Sequence, residues 1–206
     1  EARAVALRHA RIGPPAFRSE VVDLGIACEA CHGPGQQHVS HFQNPLTRYQ
    51  AHLTNQPSDT KIIHPLKLGK DDQVFACAQC HSLFEAQDLN QFADTGMDFQ
   101  PAENIHANHK LLHLDNIEPD SMYVDWFWND KTIRIGGREY QGLALSECYL
   151  QGEMTCLSCH SMHSMQQPDD LLKPNMNSNH ACIQCHQEPK YQQDIESHTH
   201  HLPDSN

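Results

Sequence analysis

The sequence predicts a mostly irregular chain with short α-helices and one small β-hairpin, packed around prosthetic groups rather than around its own side chains. Three observations lead there. A five-residue pattern, Cys-x-x-Cys-His, occurs four times. Only 38% of the 206 residues are hydrophobic, 7% are aromatic, and the mean hydropathy is −0.63. Residues 43–73, between the first two patterns, show no convincing periodicity. A chain this polar has too little apolar surface of its own to offset the entropy lost on ordering.

The pattern stands at Cys28-Glu29-Ala30-Cys31-His32, Cys77-Ala78-Gln79-Cys80-His81, Cys156-Leu157-Ser158-Cys159-His160 and Cys182-Ile183-Gln184-Cys185-His186. Two cysteines two residues apart, with histidine directly after the second, is the spacing for covalent attachment of a c-type haem. The thiols add across the two porphyrin vinyl groups, and the adjacent imidazole ligates the iron from one face. The eight cysteines would thus anchor four haems, with His32, His81, His160 and His186 as proximal ligands, one haem for about every 52 residues. A structural zinc site or a thioredoxin-like dithiol is the alternative for a bare Cys-x-x-Cys pair. Zinc does not need histidine after every second cysteine, and a redox dithiol is expected once rather than four times. Porphyrin faces are large, rigid and apolar, so they would form a haem-filled core for a single domain over residues 1–206. The chain without haem is expected not to fold.

Formal charge is −12 with histidine neutral, and haem propionates would add to it. No Lys/Arg cluster occurs, so nucleic acid and anionic membrane surfaces are not expected partners. No apolar run has the length of a membrane span. The chain begins at Glu1 with no signal peptide, which suggests a mature, processed protein. Covalent haem attachment of this type takes place outside the bacterial cytoplasm, so the expected compartment is periplasmic or extracellular. The ninth cysteine, Cys148, reads as a small buried apolar residue, with a disulfide to another chain as the alternative.

Along the chain, residues 1–12 have helix-compatible composition, end at Gly13-Pro14-Pro15 and carry His9. After the first motif, Gly33-Pro34-Gly35 predicts a tight reversal that aims His38 at an iron, with His41 as a competitor. Residues 43–73 read as a wrapping loop carrying His52 and His64. Asp71-Asp72 marks a helix start before the second motif, acidic groups suiting the positive end of the macrodipole. Leu83 to Phe92 has amphipathic helical spacing. Residues 122–128 and 132–135, joined by Asn129-Asp130-Lys131, read as the hairpin. Its Trp126, Phe127 and Trp128 are expected to cover haem faces or pack the hairpin rather than act as redox relays. At helical spacing His106, His109 and His113 would share a face, so only one or two of them could reach irons. Residues 143–158 read as a helix, weakened at Gly152, that presents the third motif. The fourth motif begins 26 residues after the third, which makes those two haems expected neighbours. The polar tail carries His198, His200 and His201, and in isolation would be disordered or bind metal adventitiously.

Four of the 17 histidines are proximal, leaving thirteen for four distal positions. Bis-histidine coordination is therefore expected throughout, without Met162 or Met165. His/Met ligation raises the reduction potential, whereas two imidazoles keep it lower. A six-coordinate iron has no vacant position for substrate, which favours electron transfer over catalysis. The distal candidates are His38, His109, His163 and His201, with His9, His64, His106 and His198 behind them. Which imidazole serves which iron stays open.

Three stretches together carry a family resemblance. They are Cys28-Glu29-Ala30-Cys31-His32-Gly33-Pro34-Gly35 with His38, Met154 to His163, and His198-Thr199-His200-His201 followed by Leu202-Pro203. They resemble the multihaem c-type cytochromes with repeated CxxCH motifs, which include periplasmic electron carriers of nitrogen metabolism and forms fused to tetratricopeptide repeats. The resemblance implies that His38, His163 and the tail cluster are distal ligands. Longer members carry further motifs that this chain lacks. Small tetrahaem and hexahaem cytochromes also occur as extracellular filaments with continuously stacked haems. A heterologous contact that does not close into a ring gives such a filament, and a tail histidine could ligate the next subunit's haem. The leading expectation is electron transfer to redox partner proteins or extracellular acceptors, extended by a head-to-tail homopolymer acting as a conductive nanowire. The alternatives are an oxidoreductase acting on a small nitrogen or sulfur compound at one open-coordinate haem, and a metal-storage protein using surplus histidines. No marker such as lysine in place of a proximal histidine singles out a catalytic haem.

Overall fold

The computed structural model describes residues 25–54, 61–107, 109–163 and 171–193, together with the backbone of two short strands before them. Strand β1 (Ala6–His9) pairs antiparallel with β2 (Phe17–Glu20), Ala6 opposite Glu20 and His9 opposite Phe17. This corrects the helix expected over residues 1–12. Leu7 and His9 alternate with Ala6 and Arg8 at the period of a strand, and Pro14-Pro15 lacks the N–H groups a helix needs to continue.

Helix α1 (Glu29–His32) is a single turn that ends at Gly33, whose φ of 70° suits glycine. Helix α2 (Gln36–Phe42) starts directly after the reversal. Helix α3 (Pro45–Thr54) occupies part of the expected loop. Asn44 Oδ1 accepts the Leu46 N–H at 2.9 Å, and Pro45 sits at the first helical position. That is a capping asparagine followed by the one interior residue that needs no N–H partner.

Helix α4 (Lys70–His81) opens with Asp71 and Asp72, as expected, and buries Val74, Phe75, Ala76 and Ala78. The single amphipathic helix expected over 83–92 does not form. Strand β3 (Phe84–Ala86) pairs antiparallel with β4 (His109–Leu111), and α5 (Leu89–Thr95) begins where Asp88 Oδ1 accepts the Asn90 and Gln91 N–H groups at 2.9 and 3.0 Å. Long-range pairing overrides helical spacing here: Leu83 and Leu112 flank the two strands, both are buried, and the Leu112 N–H donates to the Leu83 carbonyl at 3.0 Å.

The hairpin expected at 122–135 contracts to a reversal. A 3₁₀ turn over Val124–Trp126 takes up its first arm, and Phe127 and Ile133 form one antiparallel bridge. Phe127, Leu83 and Leu112 are the centre of a small core onto which Leu114, Ile117, Tyr123, Trp126 and Ile133 pack. Trp128 is exposed. Phe127→Ala is expected to cost about 3–5 kcal/mol, seen as a lower denaturant midpoint of the haem-loaded protein at unchanged slope.

In place of one helix over 143–158 there are three: α6 (Glu139–Leu145), α7 (Glu147–Leu150) and α8 (Cys156–Cys159). Ser146 takes an extended conformation and its hydroxyl accepts the Tyr149 N–H at 3.3 Å, ending one helix and capping the next. Lys70 Nζ donates to the carbonyls of Tyr149 and Gly152 at 2.7 and 3.1 Å, and the Tyr149 hydroxyl donates to Asp71 Oδ1 at 2.6 Å, tying α7 to α4. Cys148, on the one-turn α7, is exposed rather than buried. Helices α9 (His180–Ile183) and α10 (Pro189–Gln193) follow.

The chain divides into two compact units, Glu1–Met154 and Thr155–Asn206. Every buried hydrophobic side chain among the described residues belongs to the first; in the second only Thr155 is buried. No helix among the described residues is long and apolar enough to cross a membrane.

Candidate functional site

Each motif is one helical turn. The histidine N–H reaches back to the carbonyl of the first cysteine at 3.0 Å (His32 to Cys28), 2.9 Å (His160 to Cys156) and 3.0 Å (His186 to Cys182), while Cys77–His81 forms the last turn of α4. Residues three apart on such a turn share a face, so both cysteines of each pair lie along one edge with the imidazole next in line. All nine cysteines lie in the described residues, and none forms a disulfide.

Two proximal histidines show how the fold prepares the ring. His32 Nδ1 donates to the Ile63 carbonyl at 2.7 Å, and the Ile63 N–H returns to the His32 carbonyl at 3.0 Å. A carbonyl only accepts, so the proton sits on Nδ1 and Nε2 keeps its lone pair. His81 Nδ1 donates to Glu139 Oε2 at 2.8 Å, and Glu139 Oε1 accepts the Gly137 N–H at 2.8 Å. Burial pushes the Glu139 carboxyl up, but hydrogen bonds from His81 and from the Glu139 and Gly137 backbone outweigh it and hold the group below its usual value. A metal-ligating imidazole characteristically donates its second N–H in this way, which fixes the ring and raises its basicity. Neither Ile63 nor Glu139 carries a local sequence signal.

The motifs come in pairs. Gln79, inside the second, donates from Nε2 to the Ala30 carbonyl inside the first at 2.7 Å. Burial pushes the Cys31 thiol up, and the nearby Cys80 and Cys28 sulfurs act in the same direction; burial also raises Cys80, against the pull of Arg138. In the second unit Gln184, inside the fourth motif, donates to Cys159 Sγ of the third at 3.8 Å and to Met176 Sδ at 3.4 Å. Helix α8 is held by reciprocal Thr155–Ser158 capping, and beyond it Ser161 N–H donates to Leu171 O and Lys173 N–H to Cys159 O, at 2.8 and 2.9 Å. Spacing foretold that the third and fourth motifs adjoin, and gave no sign of the first pairing with the second.

The distal candidates are differently placed. His38, on α2, lines a hollow of about 690 Å³ together with Cys28, His32, Gly33 and Val39. Gly35 N–H donates to Glu29 Oε1 at 2.6 Å, closing the loop between the two imidazoles. His109 is 4% exposed, edge-on to Phe84 at 4.9 Å, with Nε2 4.0 Å from Asp98 Oδ1, beside a hollow of about 320 Å³. His106, His109 and His113 do not share a helical face, because a 3₁₀ turn over Ile105–Ala107 gives way to β4. His106 Nε2 is hydrogen-bonded to the Tyr140 hydroxyl at 3.2 Å. Burial, with Asp71 nearby, pushes the Tyr140 hydroxyl up to about 12, so it keeps its proton. The His113 ring accepts from the Asn116 backbone N–H, which leaves the proton on its other nitrogen. Burial lowers both His106 and His113, against the pull of Asp71 and Asp115 respectively. His64 precedes a 3₁₀ turn over Pro65–Lys67 and is exposed, as is His163. The side chain of His9, Met165, His198 and His201 lie outside the described residues.

These residues fit a covalently held porphyrin. Twelve large hydrophobic side chains are exposed among the described residues, more than the eleven hydrophobic ones that are buried. Ile26, Val39, Leu46, Tyr49, Leu53 and Leu66 all belong to the stretch carrying the first motif, and Leu46 and Leu53 on α3 are 76% and 79% exposed. Exposed apolar side chains, a hollow within the usual volume of cofactor sites and imidazoles anchored through Nδ1 are consistent with one another. Among the described residues no three His, Cys, Asp or Glu side chains gather into a metal cage; a haem iron requires none, since the porphyrin provides four nitrogens. When bound, each haem supplies an iron that takes up and returns one electron. The cysteines would tether it and His32, His81, His160 and His186 would ligate its iron, with Ile63 and Glu139 holding the rings of His32 and His81.

Thiol pairs followed by oriented imidazoles define a covalent haem-binding protein. A family model described as a doubled CXXCH motif matches residues 150–191, which hold the third and fourth motifs. Multihaem cytochrome MtrA of Shewanella baltica (strain OS185) is 25% identical over 177 residues, covering 81% of this chain and 44% of the relative. The chain therefore spans less than half the length of that relative. No solved structure matches it. Both comparisons make the chain similar to the multihaem c-type cytochromes.

Proposed function

We propose that the chain transfers electrons through four c-type haems, one at each CxxCH motif and two in each unit, with a second imidazole on every iron. The observation that supports this reading is that His32 and His81 engage Ile63 O and Glu139 through Nδ1, the arrangement by which a metal-ligating imidazole is characteristically oriented. The distal imidazoles in this reading are His38, His109, His163 and one of His198 or His201. His38 is favoured by sharing its hollow with Cys28 and His32. His106 and His113 are disfavoured, since their ring nitrogens are engaged by Tyr140 and Asn116.

With no vacant iron position the protein is a carrier rather than an enzyme. It works in the periplasm or outside the cell, where haem is attached covalently, and exchanges electrons with redox proteins or extracellular acceptors. The reading extends to a head-to-tail conductive filament in which a tail histidine caps the next subunit's iron, supported by a surplus of histidines over irons.

A pyridine haemochrome assay on the haem-loaded protein is expected to return four haems per polypeptide. Electron paramagnetic resonance should show low-spin iron only, and the reduced protein should not bind carbon monoxide. A high-spin component that binds carbon monoxide would replace this reading with an oxidoreductase at an open haem. Electron micrographs showing only compact monomers would remove the filament.

A further inference from the structure

The first two motifs are alike in sequence and adjacent in space, yet their proximal rings are treated differently. His32 Nδ1 donates to a neutral acceptor, the Ile63 carbonyl, at 2.7 Å, whereas His81 Nδ1 donates to a carboxylate, Glu139 Oε2, at 2.8 Å. The pair lies at the surface, with the His81 and Glu139 side chains 58% and 63% exposed, but both carboxylate oxygens are engaged. The other oxygen of Glu139 is pinned by the Gly137 N–H at 2.8 Å, and its neighbour Arg138 donates from Nη1 to the Cys80 carbonyl at 3.2 Å and to the Gly137 carbonyl.

We propose that Glu139 sets the reduction potential of the haem held at Cys77–His81, making it the more reducing member of the pair it forms with the haem at Cys28–His32. A full negative charge on the ring's second nitrogen gives the imidazole partial imidazolate character. That stabilises ferric over ferrous iron, because one-electron reduction removes a positive charge that the carboxylate had favoured. A carbonyl dipole at His32 does the same far more weakly. Two attachment sequences of the same pattern therefore yield unequal sites, and the inequality comes from residue 139, 58 positions beyond His81. Glu139 is a positioning and tuning residue, since it touches the ligand and not the iron.

The inference rests on the haem reading above, and haem content separates the two. Glu139→Gln keeps an amide oxygen within reach of Nδ1 and removes the charge. In a spectroelectrochemical titration of the haem-loaded variant, one midpoint is expected to rise by a roughly tenfold change in the oxidised-to-reduced ratio, about 59 mV for a one-electron couple. The remaining midpoints should stay in place. In the wild-type protein one low-spin resonance component should show the narrowed g-spread of a strongly hydrogen-bonded imidazole, and that component should widen in the variant. Full haem content with unmoved midpoints overturns the proposal, and so does an equal shift of all of them. If the variant loses haem, the wild-type resonance decides alone, and four equivalent components would count against Glu139. Absence of haem at Cys77 and Cys80 in the wild-type protein would instead fail the functional reading itself.

Discussion

Cys156→Ala, Cys159→Ala and His160→Ala introduced together are expected to remove one haem per chain and to abolish amide-exchange protection across residues 155–163 and 171–193. The same three changes at Cys28, Cys31 and His32 should leave the core around Leu83, Leu112 and Phe127 protected. The difference follows from what each unit buries. The first has a hydrophobic cluster of its own, while in the second Thr155 is the one buried residue among those described. Its remaining ties are hydrogen bonds such as Ser161 N–H to Leu171 O, Lys173 N–H to Cys159 O and Gln184 Nε2 to Met176 Sδ. A hydrogen bond adds about 1 kcal/mol net, whereas ordering each residue costs about 1–2 kcal/mol of backbone entropy alone. Roughly thirty residues cannot be held on those terms, and porphyrin burial at about 25 cal/mol per Å² is the term that closes the gap. Haemochrome analysis and limited proteolysis read the outcome. Undiminished protection of the second unit in the triple variant would show that it folds without the third haem.

The same balance explains what the sequence made legible. Covalent attachment demands cysteines and histidine at fixed local spacing, so all four motifs stand out, and Asp71-Asp72 marks the start of α4 for an equally local reason. Helix α3 is announced by Asn44-Pro45 and was masked by its apolar residues, since Leu46, Tyr49 and Leu53 face outward and suggest no inward stripe. The errors are long-range. Helical spacing over 83–92 yields to a strand because Leu83 meets Leu112, 29 residues on. The 106–113 histidines lose their common face because Asn104 Oδ1 accepts the His106 N–H at 2.9 Å and caps a single 3₁₀ turn. The partners of the proximal rings lie 31 and 58 residues from His32 and His81. No local pattern could have pointed to Ile63 or Glu139, because only the folded chain brings them to the imidazoles.

The second large effect concerns the far side of an iron. His38→Ala in the haem-loaded protein is expected to convert one of the irons to high spin and to let the reduced protein bind one equivalent of carbon monoxide. His38 is on a short helix that leaves the first motif through Gly33 and Gly35, and it borders the same hollow of about 690 Å³ as His32 and Cys28. Its ring leans on Phe42 at 5.0 Å, which limits its rotamers without burying it. Truncation is therefore expected to remove a ligand while leaving the fold intact, with the haem still tethered by Cys28 and Cys31. His41 provides the control. Although only three residues further along α2, it lines a different hollow, with Gln36, Ser40 and Lys61, so His41→Ala should leave all irons low-spin. His106→Gln should do likewise, because the Tyr140 hydroxyl already engages Nε2. If His41→Ala opens the iron and His38→Ala does not, the porphyrin lies against the other hollow beside α2, and the wall formed by Gly33 and Val39 is not its cover.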